Sequence, residues 1–398
     1  MANYLTTDLP GIGGEIRKRI DDFFVEEIPL YQPCGSGDHL YLTLEKRNLT
    51  TFGLLDKIAR QLGCSARDIG YAGLKDARAV TRQTISLPIK NASNVEQLDI
   101  PGVKVLAVSQ HKNKLRPGHL AGNRFRIRIS HPVPEALNRS RAILEALKCF
   151  GVPNRFGEQR YGVLNNSDRI GRAILIGDYV SAMNEIIGCP EKITDLRWQA
   201  SAAAFRAADL DSALDLLPGY CQNERRLLTV LKESGSPGQA VLAMPRKLLR
   251  LYLSAYQSRL FDYLVDTRLS SIGELWLGDL AYVHHSGACF AVCNPTAEQA
   301  RADKLEISPS APLFGHKVRI AGGEAGVAEL QLLETEGLIL KNFRLPKGLS
   351  MEGERRPIRV PLVAPQAEAD ADGIWLSFSL PKGSFATTVL GEVMKPAI

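Results

Sequence analysis

Seven consecutive residues, Asn123-Arg124-Phe125-Arg126-Ile127-Arg128-Ile129, alternate strictly between two kinds of side chain. A repeat of two fits a β-strand, whose successive side chains point to opposite faces; on a helix the three arginines would scatter around the axis. The chain must therefore contain a sheet. One face collects Asn123, Phe125, Ile127 and Ile129, and the other carries Arg124, Arg126 and Arg128. Two readings fit equally: a core face backed by a solvated charged face, or a pocket-lining face backed by one that meets phosphates.

Other segments frame this strand. Asp38 to Glu45 also alternates, with Leu40, Leu42 and Leu44 on one side. A helix follows, capped by Thr50 or Thr51, striped by Phe52, Leu55, Ile58, Ala59 and Leu62, and stopped by Gly63. A short strand is predicted around Gln83 to Leu87, ended by Pro88, and a helix from about Pro134 to Phe150. From about Ser167 the character becomes helical, clearest from Pro245 to Leu269, where Leu248, Leu249, Tyr252, Tyr256, Leu260 and Tyr263 fall near helical spacing. After Gly273 short strands run to about Leu340, which reads as a second α+β domain. Strand signals return at Ile358 to Val363 and Ile374 to Leu380, followed by a short helix opening at 383–388.

At 398 residues the chain is long enough for two domains, and 45% hydrophobic with 23% charged residues is ordinary for a soluble protein. No apolar run approaches the roughly 18 residues that cross a bilayer, and no basic-then-apolar leader opens the sequence, so no membrane role and a cytoplasmic location are expected. Seven scattered cysteines argue for reduced thiols. Cys289 and Cys293 follow His284 and His285 in what reads as a hairpin, without a metal-ligand spacing.

Charge is unevenly placed. Between Ile100 and Pro134 there is no acid, while Lys104, Lys112, Lys114, Arg116, Arg124, Arg126 and Arg128 supply seven cations against a net charge of +6 for the whole chain. Such a patch attracts polyanions. Upstream, Asp76 sits alone among cations in the loop Gly70-Tyr71-Ala72-Gly73-Leu74-Lys75-Asp76-Ala77-Arg78, with Arg82 beyond. The glycines allow a tight turn or close approach, and the cations keep the carboxylate ionised, as a nucleophile requires. Asp76 capping a turn or pairing with Arg78 is the structural alternative. Between Gly151 and Gly162, glycines, amides, arginines and aromatics mix in a way that suits RNA contacts.

Taken in order, Arg17 to Glu27 with its Asp22-Phe23-Phe24-Val25-Glu26-Glu27 stretch, Gly70 to Gln83, Gly122-Asn123-Arg124-Phe125, Asn154 to Gly162, Tyr256-Gln257-Ser258-Arg259-Leu260-Phe261 and Leu380 to Glu392 resemble the TruD family of RNA pseudouridine synthases. The resemblance implies an α+β fold: a pseudouridine synthase catalytic domain with a mixed, mostly antiparallel bent sheet and flanking helices, interrupted by an inserted α+β TRUD domain. On that reading residues 1–165 and 353–398 form the catalytic domain and 166–352 the insert. Asp76 takes the place of the catalytic aspartate, and Arg17, Phe23, Asn123, Phe125 and Phe385 those of substrate-binding residues. Arg17 stands where lysine is most frequent; it can hold a carboxylate through a two-pronged fork but cannot give up its proton at neutral pH. RNA contacts are expected from Lys75, Arg78, Lys112, Lys114, Arg116, Arg124, Arg126, Asn154, Arg155, Gln159 and Arg160.

The activity implied is conversion of a uridine to pseudouridine, in bacterial relatives uridine 13 of the tRNA D arm. It breaks the glycosidic bond, turns the uracil and rejoins it through carbon, so no cofactor or metal is called for. The partner implied is tRNA; no protein partner follows, and a monomer suffices. Competing classes are a non-catalytic RNA-binding protein or chaperone, in which Asp76 is structural, and a glycoside or nucleoside hydrolase, for which Glu26 and Glu27 offer a second carboxylate.

Overall fold

A computed structural model describes residues 3–346 and 348–395, with the side chains at 91–94 and 158 outside the described set. The chain forms two compact units, Met1–Val152 with Val360–Ile398, and Pro153–Arg359.

A nine-stranded sheet organises the first unit: β1 (Glu15–Ile16), β2 (Phe23–Pro29), β3 (His39–Arg47), β4 (Gly70–Tyr71), β5 (Val80–Pro88), β6 (Val103–His111) and β7 (Leu120–Ser130), with two late strands, Val363–Asp370 and Gly373–Pro381. Its order is Val363–Asp370, Gly373–Pro381, β7, β2, β5, β3, β6, with β1 added to β7 and β4 to β5. The β2–β5 ladder is parallel, placing Phe24 opposite Val80 and Glu26 opposite Arg82. The others are antiparallel. The sheet is thus mixed and mostly antiparallel, as the family resemblance implies.

The alternation in β7 is used as a core face. Phe125, Ile127 and Ile129 join Phe23, Val25 and Phe378 in one apolar cluster, with Ile143, Leu144 and Leu147 of α2 (Ala136–Phe150) and Val389, Leu390 and Val393 of the helix Ala386–Met394. A second cluster packs Leu40, Leu42, Leu44, Ile85 and Leu87 with Leu54, Leu55 and Ile58 of α1 (Thr51–Leu62). Thr50 caps α1 by accepting from Gly53 N, and Gly63 ends it at φ +62°. Phe52 departs from expectation: it is exposed and rests edge-on against Tyr71, while Leu54 takes the core position. The buried set 51, 54, 55, 58, 59, 62 keeps the helical three-and-four spacing, which Phe52 breaks.

Polar residues continue the same sheet face between the two clusters. Lys46 on β3 lies opposite Thr81 on β5, and Glu27 on β2 opposite Asn123 on β7. Directly opposed residues share a face, so this band underlies the loop that joins β4 to β5.

In the second unit, helices between Ser167 and Ser234 precede the long helix Arg246–Thr267 and a four-stranded antiparallel sheet built from Cys289–Ala291, Leu280–Val283, Ile307–Leu313 and Glu354–Pro357. Tyr252, Tyr256 and Leu260 are buried on the long helix, whereas Tyr263 is exposed. Cys289 lies opposite Tyr282 in the expected hairpin, and every cysteine is a free thiol. Among the described residues no helix is long and apolar enough to cross a membrane.

Candidate active site

Asp76 stands on the loop between β4 and β5, with its side chain 36% exposed. Gly70, in β4 just before that loop, is there for packing: it has no left-handed φ, but a Cβ on it would lie 2.3 Å from the Leu115 carbonyl oxygen and 2.4 Å from Ser86 Oγ. Gly73 is less constrained, its nearest neighbour being Lys75 Nζ at 3.3 Å. Arg17 reaches across from the end of β1, its Nη2 3.2 Å from Asp76 Oδ1. The contact is single, through Nη2 and Oδ1, where the guanidinium would allow a two-pronged fork. The guanidinium also lies over the Phe23 ring, 4.3 Å from its centroid, and Arg17 adopts φ +62°. A bulky residue in that left-handed region is strained, and such strain gathers at functional sites.

Beneath the carboxylate runs a buried polar network. Lys75 turns inward rather than toward solvent and pairs with Glu27 at 2.8 Å, both side chains almost fully buried. Thr51 Oγ1 accepts from Lys75 N at 3.0 Å and lies 3.2 Å from Gln83 Oε1, tying the loop to α1 and β5. Lys46, fully buried, donates to the carbonyl oxygen of Asp76 at 2.9 Å and to that of Leu49. Burial lowers the Lys46 ammonium to about 8, opposed by the nearby charge of Asp76. The sequence carries a signal for this lysine: the alternation that buries Leu40, Leu42 and Leu44 puts residue 46 next on that face.

The polar band ends at Asn123, whose Oδ1 is buried without a partner among the described residues, as are Arg17 Nε, Thr81 Oγ1 and Gln83 Nε2. Buried polar atoms are nearly always paired, so such a group of exceptions beside an accessible carboxylate suits a polar ligand. Phe125 is 6% exposed and packs on Phe378 with ring centroids 5.5 Å apart. Phe385, partly exposed, precedes the helix Ala386–Met394.

The expected RNA-contacting residues divide into several groups. Arg78, Lys112 and Arg116 are exposed. Lys114 donates to the Arg67 carbonyl at 2.6 Å. Arg124 pairs with Glu26 at 2.8 Å, and Arg126 stacks 4.5 Å over Trp375, both on the sheet face opposite Asn123 and Phe125. In the second unit Asn154 is buried and donates to the Pro357 carbonyl, Arg155 bonds Asp266 at 2.6 Å, and Arg160 bonds Ser258 at 3.1 Å, while Gln159 is exposed. Among the described residues no three His, Cys, Asp or Glu side chains gather to hold a metal ion.

Comparison with known proteins gives one answer. The profile of the family described as tRNA pseudouridine synthase D (TruD) matches residues 1–393. The chain is similar to the tRNA pseudouridine synthase D of Syntrophotalea carbinolica, 53% identical over 395 residues that cover 99% of each chain. It is also similar to that of Geobacter metallireducens, 51% identical over 98% of this chain and 97% of that one. A crystal structure of the putative tRNA pseudouridine synthase D from Methanosarcina mazei superposes with a TM-score of 0.83 at 27% identity, covering 99% of this chain and 96% of that one.

Proposed function

The chain belongs to the TruD family of tRNA pseudouridine synthases, and from that membership we propose that it isomerises uridine 13 of the tRNA D arm with Asp76 as the catalytic group. It is an intramolecular transferase of the isomerase class. The observation that carries the reading of Asp76 is its pairing with Arg17: a carboxylate one-third exposed, held 3.2 Å from a cation that stays charged.

A uridine swung out of its stack presents its sugar and ring to that carboxylate, and contacts to the base must offset the lost stacking. Asp76 then attacks the anomeric carbon, attacks the ring or removes a sugar proton; all three routes use a positioned carboxylate, which Arg17 holds in place. In each the N–C glycosidic bond breaks, the uracil turns, and a C–C bond forms as the ring carbon gives up its proton and the ring nitrogen gains one; on the route that removes a sugar proton, Asp76 returns it to the same carbon. The Asn123 amide is suited to hold the uracil edge, with Phe125, Phe23 and Phe385 as the aromatic surround. Arg78, Lys112 and Arg116 meet RNA phosphates. The unit Pro153–Arg359 reads tRNA shape, with Gln159 among its contacts. The enzyme works in the cytoplasm, where its substrate is.

The test is pseudouridine mapping in tRNA incubated with wild-type and Asp76→Asn protein, and in tRNA from cells lacking the chain. Loss of the modification at position 13 in both supports the proposal. Pseudouridine made by Asp76→Asn refutes it, and free uracil released from RNA indicates a hydrolase.

A further inference from the structure

We propose that Lys46 is a positioning residue, fixing the main chain of Asp76 from below and making the reactivity of its carboxylate depend on the charge of the Lys46 amine. This rests on the reading of Asp76 as the catalytic group. Lys46 is the fully buried end of an otherwise apolar strand face, and its amine touches two carbonyl oxygens, those of Leu49 and Asp76. Among the described residues it has no carboxylate ion-pair partner, whereas Lys75, nearly as buried, has Glu27. An ammonium taken out of water without a counter-ion is costly, and methionine would fill similar space at less cost. What the amine touches explains its presence. It clamps the chain leaving β3 to the chain carrying Asp76 and leaves the carboxylate for Arg17 and substrate.

Arginine side chains are not switches at working pH. The Lys46 amine can be one. The charged groups that face it are Asp76 and Lys75, both on the loop between β4 and β5, and Glu27 of β2 lies on the same sheet face, paired with Lys75. Its strand neighbours Glu45 and Arg47 point to the other face, toward Arg82 and Asp21. From β5 and α1 the facing groups are Thr81, Gln83 and Thr51, which do not titrate. Removing the amine's proton weakens the hold on the Asp76 carbonyl and withdraws the positive charge behind the carboxylate. Turnover therefore falls as pH rises through the lysine's lowered range.

Single-turnover pseudouridine formation on a tRNA transcript, followed between about pH 6 and pH 10 for wild type, Lys46→Arg and Asp76→Asn, tests this. The wild type should lose roughly tenfold in rate per unit along an alkaline limb starting near pH 8. In Lys46→Arg the limb should move up by at least about one unit, because arginine does not titrate there. An unmoved limb overturns the proposal, since a limb owned by the uracil or another group stays in place. An active Asp76→Asn overturns the underlying reading instead. Should Lys46→Arg fail to fold, 13Cε-lysine NMR of wild type and Asp76→Asn decides. A Lys46 resonance that titrates at lower pH once the Asp76 charge is gone supports the coupling, and one that does not shift refutes it.

Discussion

Arg17 reaches Asp76 from a left-handed backbone: at φ +62° its Nη2 lies 3.2 Å from Oδ1 while its guanidinium covers the Phe23 ring. The strained conformation and the charge contact come as one device, because the bend at the end of β1 is what aims the side chain back over the sheet. Glycine accepts this backbone without strain and lacks the side chain, which separates the two.

Arg17→Gly should change stability by no more than about 1 kcal/mol, relief of strain offsetting the added freedom of the unfolded chain. Its rate should drop about 10- to 150-fold, corresponding to a charge-assisted hydrogen bond of roughly 1.5–3 kcal/mol. Thermal melts beside single-turnover rates check both; a variant that loses fold and rate together would mean the arginine is structural.

Lys75→Met should destabilise the protein by about 3–5 kcal/mol, because it leaves the Glu27 carboxylate buried without its partner. Adding Glu27→Gln should restore most of that loss. Urea midpoints of the single and double variants measure the coupling.

Asp262 in the second unit is raised from 3.8 to about 6 by burial, partly offset by hydrogen bonds from Phe156 N and the Tyr161 hydroxyl. The folded chain binds this proton more tightly than the unfolded chain. The carboxyl therefore favours the fold most at low pH, and its contribution declines as pH climbs from about 4 to 6, by on the order of 3 kcal/mol. The difference in melting behaviour between wild type and Asp262→Asn should trace that decline; a difference independent of pH would contradict it.

Lys112→Ala and Arg116→Ala should each weaken tRNA binding and flatten the dependence of log K on log salt by about 0.7–0.9 per lost phosphate contact. The rate on saturating tRNA should be unaffected. Filter binding across a salt series is sufficient.

Local pattern made much of this legible. The alternation of residues 123–129 gives β7, the Thr50 cap and Gly63 stop give α1, and the lone acid among cations marks the Asp76 loop. What eluded local reading depends on partners distant in sequence. Arg160 turns inward to Ser258, 98 residues away, and Arg128 meets Asp370, 242 residues away. Composition alone reads both arginines as exposed cations. Gly70 reads as a turn residue, yet it is required because the Leu115 carbonyl leaves no room for a Cβ there. Lys46 lay one step beyond an alternation already recognised, hidden because a lysine is expected in water.

The strand Gly373–Pro381 lies along β7 over nine residue pairs, and the whole unit Pro153–Arg359 is encoded between them. A ribosome adding ~5–20 residues per second needs some tens of seconds to cover that distance. Throughout that interval one edge of β7 keeps its backbone N–H and C=O groups without a neighbouring strand. Until Gly373–Pro381 emerges, that unpaired edge is a template for wrong partners, a hazard at β7 that the finished sheet no longer carries.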